Sequence, residues 1–243
     1  MTAQITEPGL QTHSNTPLPL QRRVFALADT HLGFAVGKTM DRFGDLWIGH
    51  AERIAENIRA TVTNDDVLLL PGDLSWATKR FQAQPDLEFL ADLPGIKVAI
   101  KGNHDFWWES DKPINFPGLL SPPVILDNGA IGIAGSRGWY VPVEETETFA
   151  SDVRNFERER RRVQRSLDAI AHCEVRLAMT HYPPQPFMDL FMEAEVALVA
   201  YGHVHLGSFP EDEILAVNGD TVAGIPLYCV ACDRIGFAPQ RLL

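Results

Sequence analysis

The chain has 243 residues, a formal net charge of −11 and a pI near 5.1, with 45% hydrophobic and 22% charged residues. This is the composition of a soluble globular protein long enough for one large α/β domain or two small ones. The acidic balance argues against nonspecific attraction to nucleic acid or an anionic membrane surface, and no apolar run approaches the roughly 20 residues of a membrane span.

The first 21 residues, MTAQITEPGLQTHSNTPLPLQ, are polar and proline-rich and lack the apolar stretch of a signal peptide. They read as a flexible arm, with His13 a solvated histidine, and residues 22–243 read as a single domain. The strand RVFALAD at 23–29 is followed by Ile48, Ala51, Ile54, Ala55 and Ile58 at helical spacing. VLLLPGD at 67–73 is the second strand, PDLEFLADLPG at 85–95 a short helix, and IKVAIKGNHD carries the third strand. VILDNGAIGIAG at 124–135 has the form of a hairpin turning at Asn128-Gly129. Residues 151–171 are the longest helical pattern, with Ser151 as N-cap. EVRLAMTHY, AEVALVAYGHVH and IPLYCVAC supply the remaining strands. Helices between early strands and hairpin-like strands later imply an α/β fold with mixed sheets. Three cysteines, Cys173, Cys229 and Cys232, give no disulfide framework and suit a reducing compartment, so the cytoplasm is the expected location. The Cys229–Cys232 pair has no second pair to complete a zinc site and reads as two buried small hydrophobes.

Each main strand ends in metal-competent chemistry. The ends are ADTH with Asp29 and His31, PGD with Asp73, GNHD with Asn103 and His104, MTHY with His181, and YGHVH with His203 and His205. In open α/β sheets the carboxyl ends of strands gather at one edge, where ligands bind. In Asp-x-His and His-x-His the two side chains lie on one side of an extended backbone. Glycines 72, 102 and 202 let the chain turn closely around such a site. Carboxylate, amide and imidazole without thiolate select a hydrolytic transition-metal site of Mn, Fe, Zn or Co. Seven ligands exceed the needs of one tetrahedral ion, so two divalent ions sharing one carboxylate is the economical reading.

Taken together and in order, these blocks resemble those of the calcineurin-like metallophosphoesterase superfamily. A bacterial group of predicted phosphohydrolases is similar again in its GDLSWA, GNHDFWW and SRGWY segments. The resemblance implies a two-sheet β sandwich flanked by helices, with a dinuclear centre at one edge. It implies that Asp29, His31 and His205 hold one metal, Asn103, His181 and His203 the other, and that Asp73 bridges both. It implies a phosphomonoesterase or phosphodiesterase in which a metal-activated hydroxide attacks and His104 assists the leaving group. The expected substrate is a small or medium-sized organic phosphate ester. The serine/threonine phosphatases of the superfamily follow Gly-Asp with Asp-Arg-Gly, whereas GDLSWATKR lacks that triplet. This disfavours a phosphoprotein substrate and leaves the partner of His104 unidentified. Asp105 reads as a carboxylate that fixes its loop by bonding local backbone.

Arg137 is a candidate for phosphate binding and Trp107 and Trp108 for walling a substrate pocket. RNFERERRRVQR, with Glu157 and Glu159 interleaved, reads as a solvated helix face with i,i+4 pairs. The alternatives are a nuclease, for which only that helix speaks, and a non-catalytic metal-binding interaction module on the same fold.

Overall fold

The computed structural model describes residues 22–109, 112–208 and 218–243, so the expected arm and His13 lie outside the described residues. The chain runs through β1 (Val24–Ala26), α1 (His50–Thr61), β2 (Val67–Leu70), α2 (Arg80–Asp92), β3 (Ile96–Ala99) and β4 (Leu119–Leu120). It continues with β5 (Val124–Leu126), β6 (Ile131–Ser136), α3 (Phe149–Ala169), β7 (Val175–Thr180) and α4 (Met188–Glu193). The last strands are β8 (Leu198–Tyr201), β9 (Asn218–Val222), β10 (Ile225–Cys229) and β11 (Gln240–Arg241).

These strands form two mixed sheets, in the orders β11-β1-β2-β3-β4 and β5-β6-β7-β8-β10-β9. β1 to β4 are parallel, as are β6, β7, β8 and β10, and the antiparallel strands β11, β5 and β9 stand at the edges. Alternation along each strand builds the layers. Val24, Ala26, Val67, Leu69 and Val98 face Ile131, Ile133, Leu177, Met179 and Leu198 across the sandwich. Phe25, Leu68 and Leu70 point outward to Ile54 and Ile58 of α1 and Leu87 and Leu90 of α2. On the opposite flank, Ala178 and Val199 meet Val163 and Leu167 of α3 and Leu190 and Phe191 of α4. Each fully buried aliphatic side chain contributes about 1.5–3 kcal/mol of transfer free energy, and two-sided burial explains why these strands read as continuous apolar runs. The expected two-sheet α/β sandwich is the fold observed. Among the described residues, no helix is long and apolar enough to cross a membrane.

Local differences from the sequence reading have local causes. α1 buries Ala51, Ile54, Ala55 and Ile58, but Ile48 precedes it and is exposed, because Gly49 enters the helix at φ 63°. α2 begins five residues before Pro85 and runs through it. Gln82 Oε1 accepts from Lys79 N–H and Thr78 Oγ1 and fixes that earlier start. α3 begins at Phe149 rather than at Ser151, with the Thr148 carbonyl accepting from Ser151 and Asp152 N–H. The 124–135 hairpin is present, with Asn128 left-handed at φ 56°. All three cysteines are free and buried, as small hydrophobes would be.

One ion pair pins the start of β1 to the turn before β2. Arg23 Nε donates to Asp66 Oδ1 at 3.0 Å, and Asp66 also accepts from Thr63 N–H and Oγ1. The Arg23 bond outweighs burial and holds the Asp66 carboxyl down at about 2, below the ordinary 3.8. A depressed carboxyl pKa stabilises the fold above 3.8, and the effect is lost as pH falls toward about 2. Asp66→Asn is therefore expected to lower the melting temperature at neutral pH. Melting curves across pH should show that deficit shrinking as pH falls through this window. A deficit that is constant with pH would remove the ionic contribution.

Candidate metal centre

The parallel strands β1, β2, β3, β7 and β8 deliver their carboxyl ends to one edge, and all seven candidate ligands meet there. The backbone is bent to bring them in. Asp29 (φ 60°), His31 (φ 43°), Asp73 (φ 53°) and His203 (φ 71°) are all left-handed, a conformation that costs non-glycine residues free energy. The turns are locked to one another by Asp29 N–H to the Gly72 carbonyl and His31 N–H to the Asp73 carbonyl, both at 3.0 Å. Two glycines are sterically required. A Cβ on Gly102 would lie 2.0 Å from Asp73 Oδ1, and one on Gly202 would lie 2.4 Å from Asp29 Oδ2.

The donor atoms form two adjoining groups. Asp29, His31 and His205 make one, and Asp29, Asp73 and His181 the other, with the ligand atoms of each group within 4.8 Å of one another. His205 Nε2 is 3.7 Å from Asp29 Oδ1, and His31 Nε2 is 3.2 Å from His205 Nε2. Asp29 is common to both groups, and Asp73 Oδ2 of the second lies 3.5 Å from His181 Nε2 and also 3.8 Å from His31 Nε2 of the first. Asn103 Oδ1 closes the second group, 2.6 Å from His181 Nε2 and 2.9 Å from His203 Nδ1.

The chemistry of this donor set fits cations. His181 Nδ1 lies 3.0 Å from the Pro71 carbonyl and must carry the proton, so its Nε2 presents a lone pair to Asn103 Oδ1, a second acceptor. Two acceptors in contact are satisfied by a positive ion. His31 Nδ1 is buried with no hydrogen-bond partner. Burial, then neighbouring positive groups, push His31 well below its ordinary value and His203 to about 3. Burial also takes His181 to about 3, so these three imidazoles are neutral donors. Burial would lower His205 too, but its bond to Asp233 and the charges of Asp29 and Asp73 outweigh that and leave it raised. Burial pushes Asp29 well above the ordinary carboxylate value and Asp73 to about 6. A bound cation would reverse both shifts.

His104 is at the site but outside the donor groups. Its N–H donates to Asp73 Oδ1 at 2.7 Å, and its ring lies 4.5 Å from the Trp76 ring and 5.6 Å from His31, centre to centre. The Trp76 indole, which also stacks on His31 at 4.7 Å, is thus the wall against which His104 is held. Asp105 does bond local backbone: it accepts from Leu74, Ser75 and Gly102 N–H and from Trp107 Nε1. Trp107 and Trp108 are each 5% exposed and packed into the core under α2, although Trp108 also lines a cavity beside the site. Arg137 lines the same cavity, with its guanidinium over the Trp139 ring at 4.5 Å. The arginine-rich helix is not a wholly solvated face. Glu157 and Arg161 form the expected i,i+4 pair at 3.8 Å, but Glu159 is completely buried.

Asp233 escaped the sequence reading. Its Oδ1 is 3.0 Å from His205 Nδ1 and its Oδ2 accepts from Leu206 N–H, so it orients the His205 ring. The signal was present, because Asp233 follows β10 as Asp29 and Asp73 follow β1 and β2.

Residues 22–207 match the sequence family described as calcineurin-like phosphoesterase. No curated protein matches the chain. Among solved structures, phosphopantetheinyl hydrolase from Mycobacterium tuberculosis is similar at a TM-score of 0.56 and 13% identity, over 91% of this chain and 96% of that one. This likeness is one of fold. A protein of unknown function from Aquifex aeolicus is matched at a TM-score of 0.47 and 15% identity, over 90% of this chain and 95% of that one.

The Asp233 contact generates a test. An outer carboxylate that fixes a ligand imidazole typically contributes 10–100-fold to metal affinity. Asp233→Ala is expected to weaken Mn²⁺ binding by about that factor in chelator competition while the melting temperature of the metal-free protein changes little. Unchanged affinity would mean that His205 needs no such support.

Proposed function

The chain belongs to the calcineurin-like phosphoesterase family, and on that premise we propose that it hydrolyses a phosphomonoester or phosphodiester at a centre of two divalent transition-metal ions, Mn, Fe, Zn or Co. Asp29, His31 and His205 would hold one ion, Asn103, His181 and His203 the other, with Asp73 shared. The observation that carries this reading is the position of Asp73 Oδ2, within 3.8 Å of an imidazole nitrogen from each group. Two such ions supply Lewis-acid charge for the phosphoryl oxygens and lower the pKa of water at the reacting phosphorus.

The chain's own residues do the rest. The His203 N–H holds Asp29 at 3.0 Å, and the His104 N–H holds Asp73, so each carboxylate keeps a fixed oxygen toward the centre. The His104 ring, held against Trp76 and outside the donor groups, is free to give a proton to the leaving oxygen. Asp233 keeps the His205 Nδ1 proton away from the centre. Because β11 pairs with β1 and Asp233 serves His205, the segment beyond residue 207 is read as part of the same domain.

Metal content and turnover test the reading together. Apo protein should be inactive on an ester panel and regain activity with a divalent transition metal. Asp73→Asn should lose metal and nearly all hydrolysis, since a shared carboxylate serves both ions. Full metal content at a near wild-type rate would remove Asp73 from the bridging role. A fully metallated wild type that hydrolyses none of the panel would favour a non-catalytic module.

His104 is tested by leaving-group dependence. His104→Ala is expected to keep its metals but to slow alkyl esters by about 10²–10⁴-fold. The loss on p-nitrophenyl esters should be smaller, because nitrophenolate departs without a proton. Equal losses in kcat/KM on a matched pair would count against proton donation.

A further inference from the structure

The metal centre is open on one side. Asp29, His31, Asp73 and His181 are buried, whereas Asn103, His104, His203 and His205 are partly exposed and mark where it meets solvent. Tyr182 stands beside that opening. It follows His181 directly, and its ring lies 4.5 Å from the His203 ring and 5.5 Å from the His181 ring, centre to centre.

The residue is fixed in place, but its hydroxyl is not engaged. Tyr182 N–H donates to the Arg137 carbonyl at 3.1 Å, and the Tyr182 carbonyl accepts from Thr180 Oγ1 at 2.7 Å. Pro183 and Pro184 follow and stiffen the chain beyond it. The ring also packs against Trp139 at 5.4 Å and Tyr140 at 5.9 Å. Tyr182 is only 9% exposed, yet its hydroxyl makes no hydrogen bond among the described residues and is not sealed in the interior. Neighbouring Tyr140 differs, since its hydroxyl donates to Asp152 Oδ1 at 2.8 Å. A largely buried tyrosine ordinarily pairs its O–H. After burial, the largest influences on the phenol are the charges of Arg137 and Asp73, so the hydroxyl lies in the field of the centre's own carboxylate.

A phosphoryl group that enters past His203 presents non-bridging oxygens, which are acceptors. A neutral phenol held by its neighbours is a matching donor, and it needs no reorganisation as charge shifts onto those oxygens. We infer that the Tyr182 hydroxyl is a further catalytic group, which donates a hydrogen bond to a non-bridging oxygen of the phosphoryl group undergoing substitution. This rests on hydrolysis at the centre and adds a donor beside His203, separate from the His104 ring that serves the leaving oxygen. Because non-bridging oxygens are common to all the esters, the contribution of Tyr182 does not depend on the leaving group.

The test is Tyr182→Phe in the full-length, metal-loaded protein, a change that removes the hydroxyl and keeps the ring contacts. Losing a hydrogen bond to a charged acceptor is expected to lower kcat/KM by about 10–100-fold. The fall should be equal on matched alkyl and p-nitrophenyl esters, in contrast to His104→Ala. Metal content and melting temperature should stay at wild-type values. Calorimetric titration with inorganic phosphate reads the donor without turnover, and affinity should drop about tenfold or more in the variant. Wild-type kcat/KM or wild-type phosphate affinity in Tyr182→Phe overturns the proposal. A loss that follows the loss of metal also overturns it, because Tyr182 would then only support its neighbouring imidazoles. Should the wild type hydrolyse no ester, the hydrolytic reading fails separately. Phosphate affinity that still falls in Tyr182→Phe would then keep the hydroxyl as a phosphate donor, and unchanged affinity would remove it.

Discussion

Two aspartates buried side by side at the strand ends set the terms for everything around them. Asp29 and Asp73 are 0% and 1% exposed, and the nearest side-chain groups are imidazoles. Removing a carboxylate from water costs several kcal/mol even after relaxation, and here burial pushes both carboxyl groups upward. Backbone N–H groups of His203 and His104 offset part of that cost. The remainder is a demand for positive charge at one point in space. Left-handed backbone at Asp29, His31, Asp73 and His203, and glycines where no Cβ fits, are the further costs of gathering these side chains from two sheets.

Such strain persists only if the scaffold beneath it does not yield. The interior between the sheets supplies that stiffness through strands buried on both faces. Asp105 then ties the loop after β2 to the loop after β3. It accepts three backbone N–H groups and the Trp107 indole, at a site where burial, followed by the Asp73 charge, raises its carboxyl to about 7. The two tryptophans after GNHD therefore serve the scaffold more than the pocket: Trp107 anchors Asp105 and Trp108 bonds the Lys112 carbonyl. Of the aromatics that do meet the site imidazoles, Trp76, one loop earlier, lies against His31 and His104, and Tyr182 lies 4.5 Å from His203.

What the sequence made legible was whatever one strand states by itself. An apolar run followed by a turn residue and a ligand carries its meaning within ten residues, so the strands, the hairpin and the ligand blocks could be read locally. Asp233 follows its strand as Asp29 and Asp73 do, but its relation to His205 spans 28 positions and two strands, so no local pattern names its partner. The helical pattern legible from Pro85 onward does not include the first turn of α2, which the Gln82 contact with Lys79 N–H sets. By its charge Glu159 belongs on a solvated face, but by periodicity it does not. It stands four residues before Val163 and eight before Leu167, so the face that buries those two also buries the glutamate.

That buried glutamate links the fold to the electrostatics of the whole protein. An acidic chain repels anionic substrates at long range, so it must concentrate positive potential where they bind. Here the two sources of potential differ in kind. At the strand ends, the buried carboxylates and the neutral imidazoles of His31, His181 and His203 carry no positive charge of their own, so cations would have to supply it. Behind β6, Arg162 and Arg137 carry permanent charge and stand 2.5 and 3.8 Å from the buried Glu159. The carboxylates and imidazoles of the strand ends are thus joined through the Arg137 carbonyl, which accepts from His181 N–H, to the guanidinium groups around Glu159.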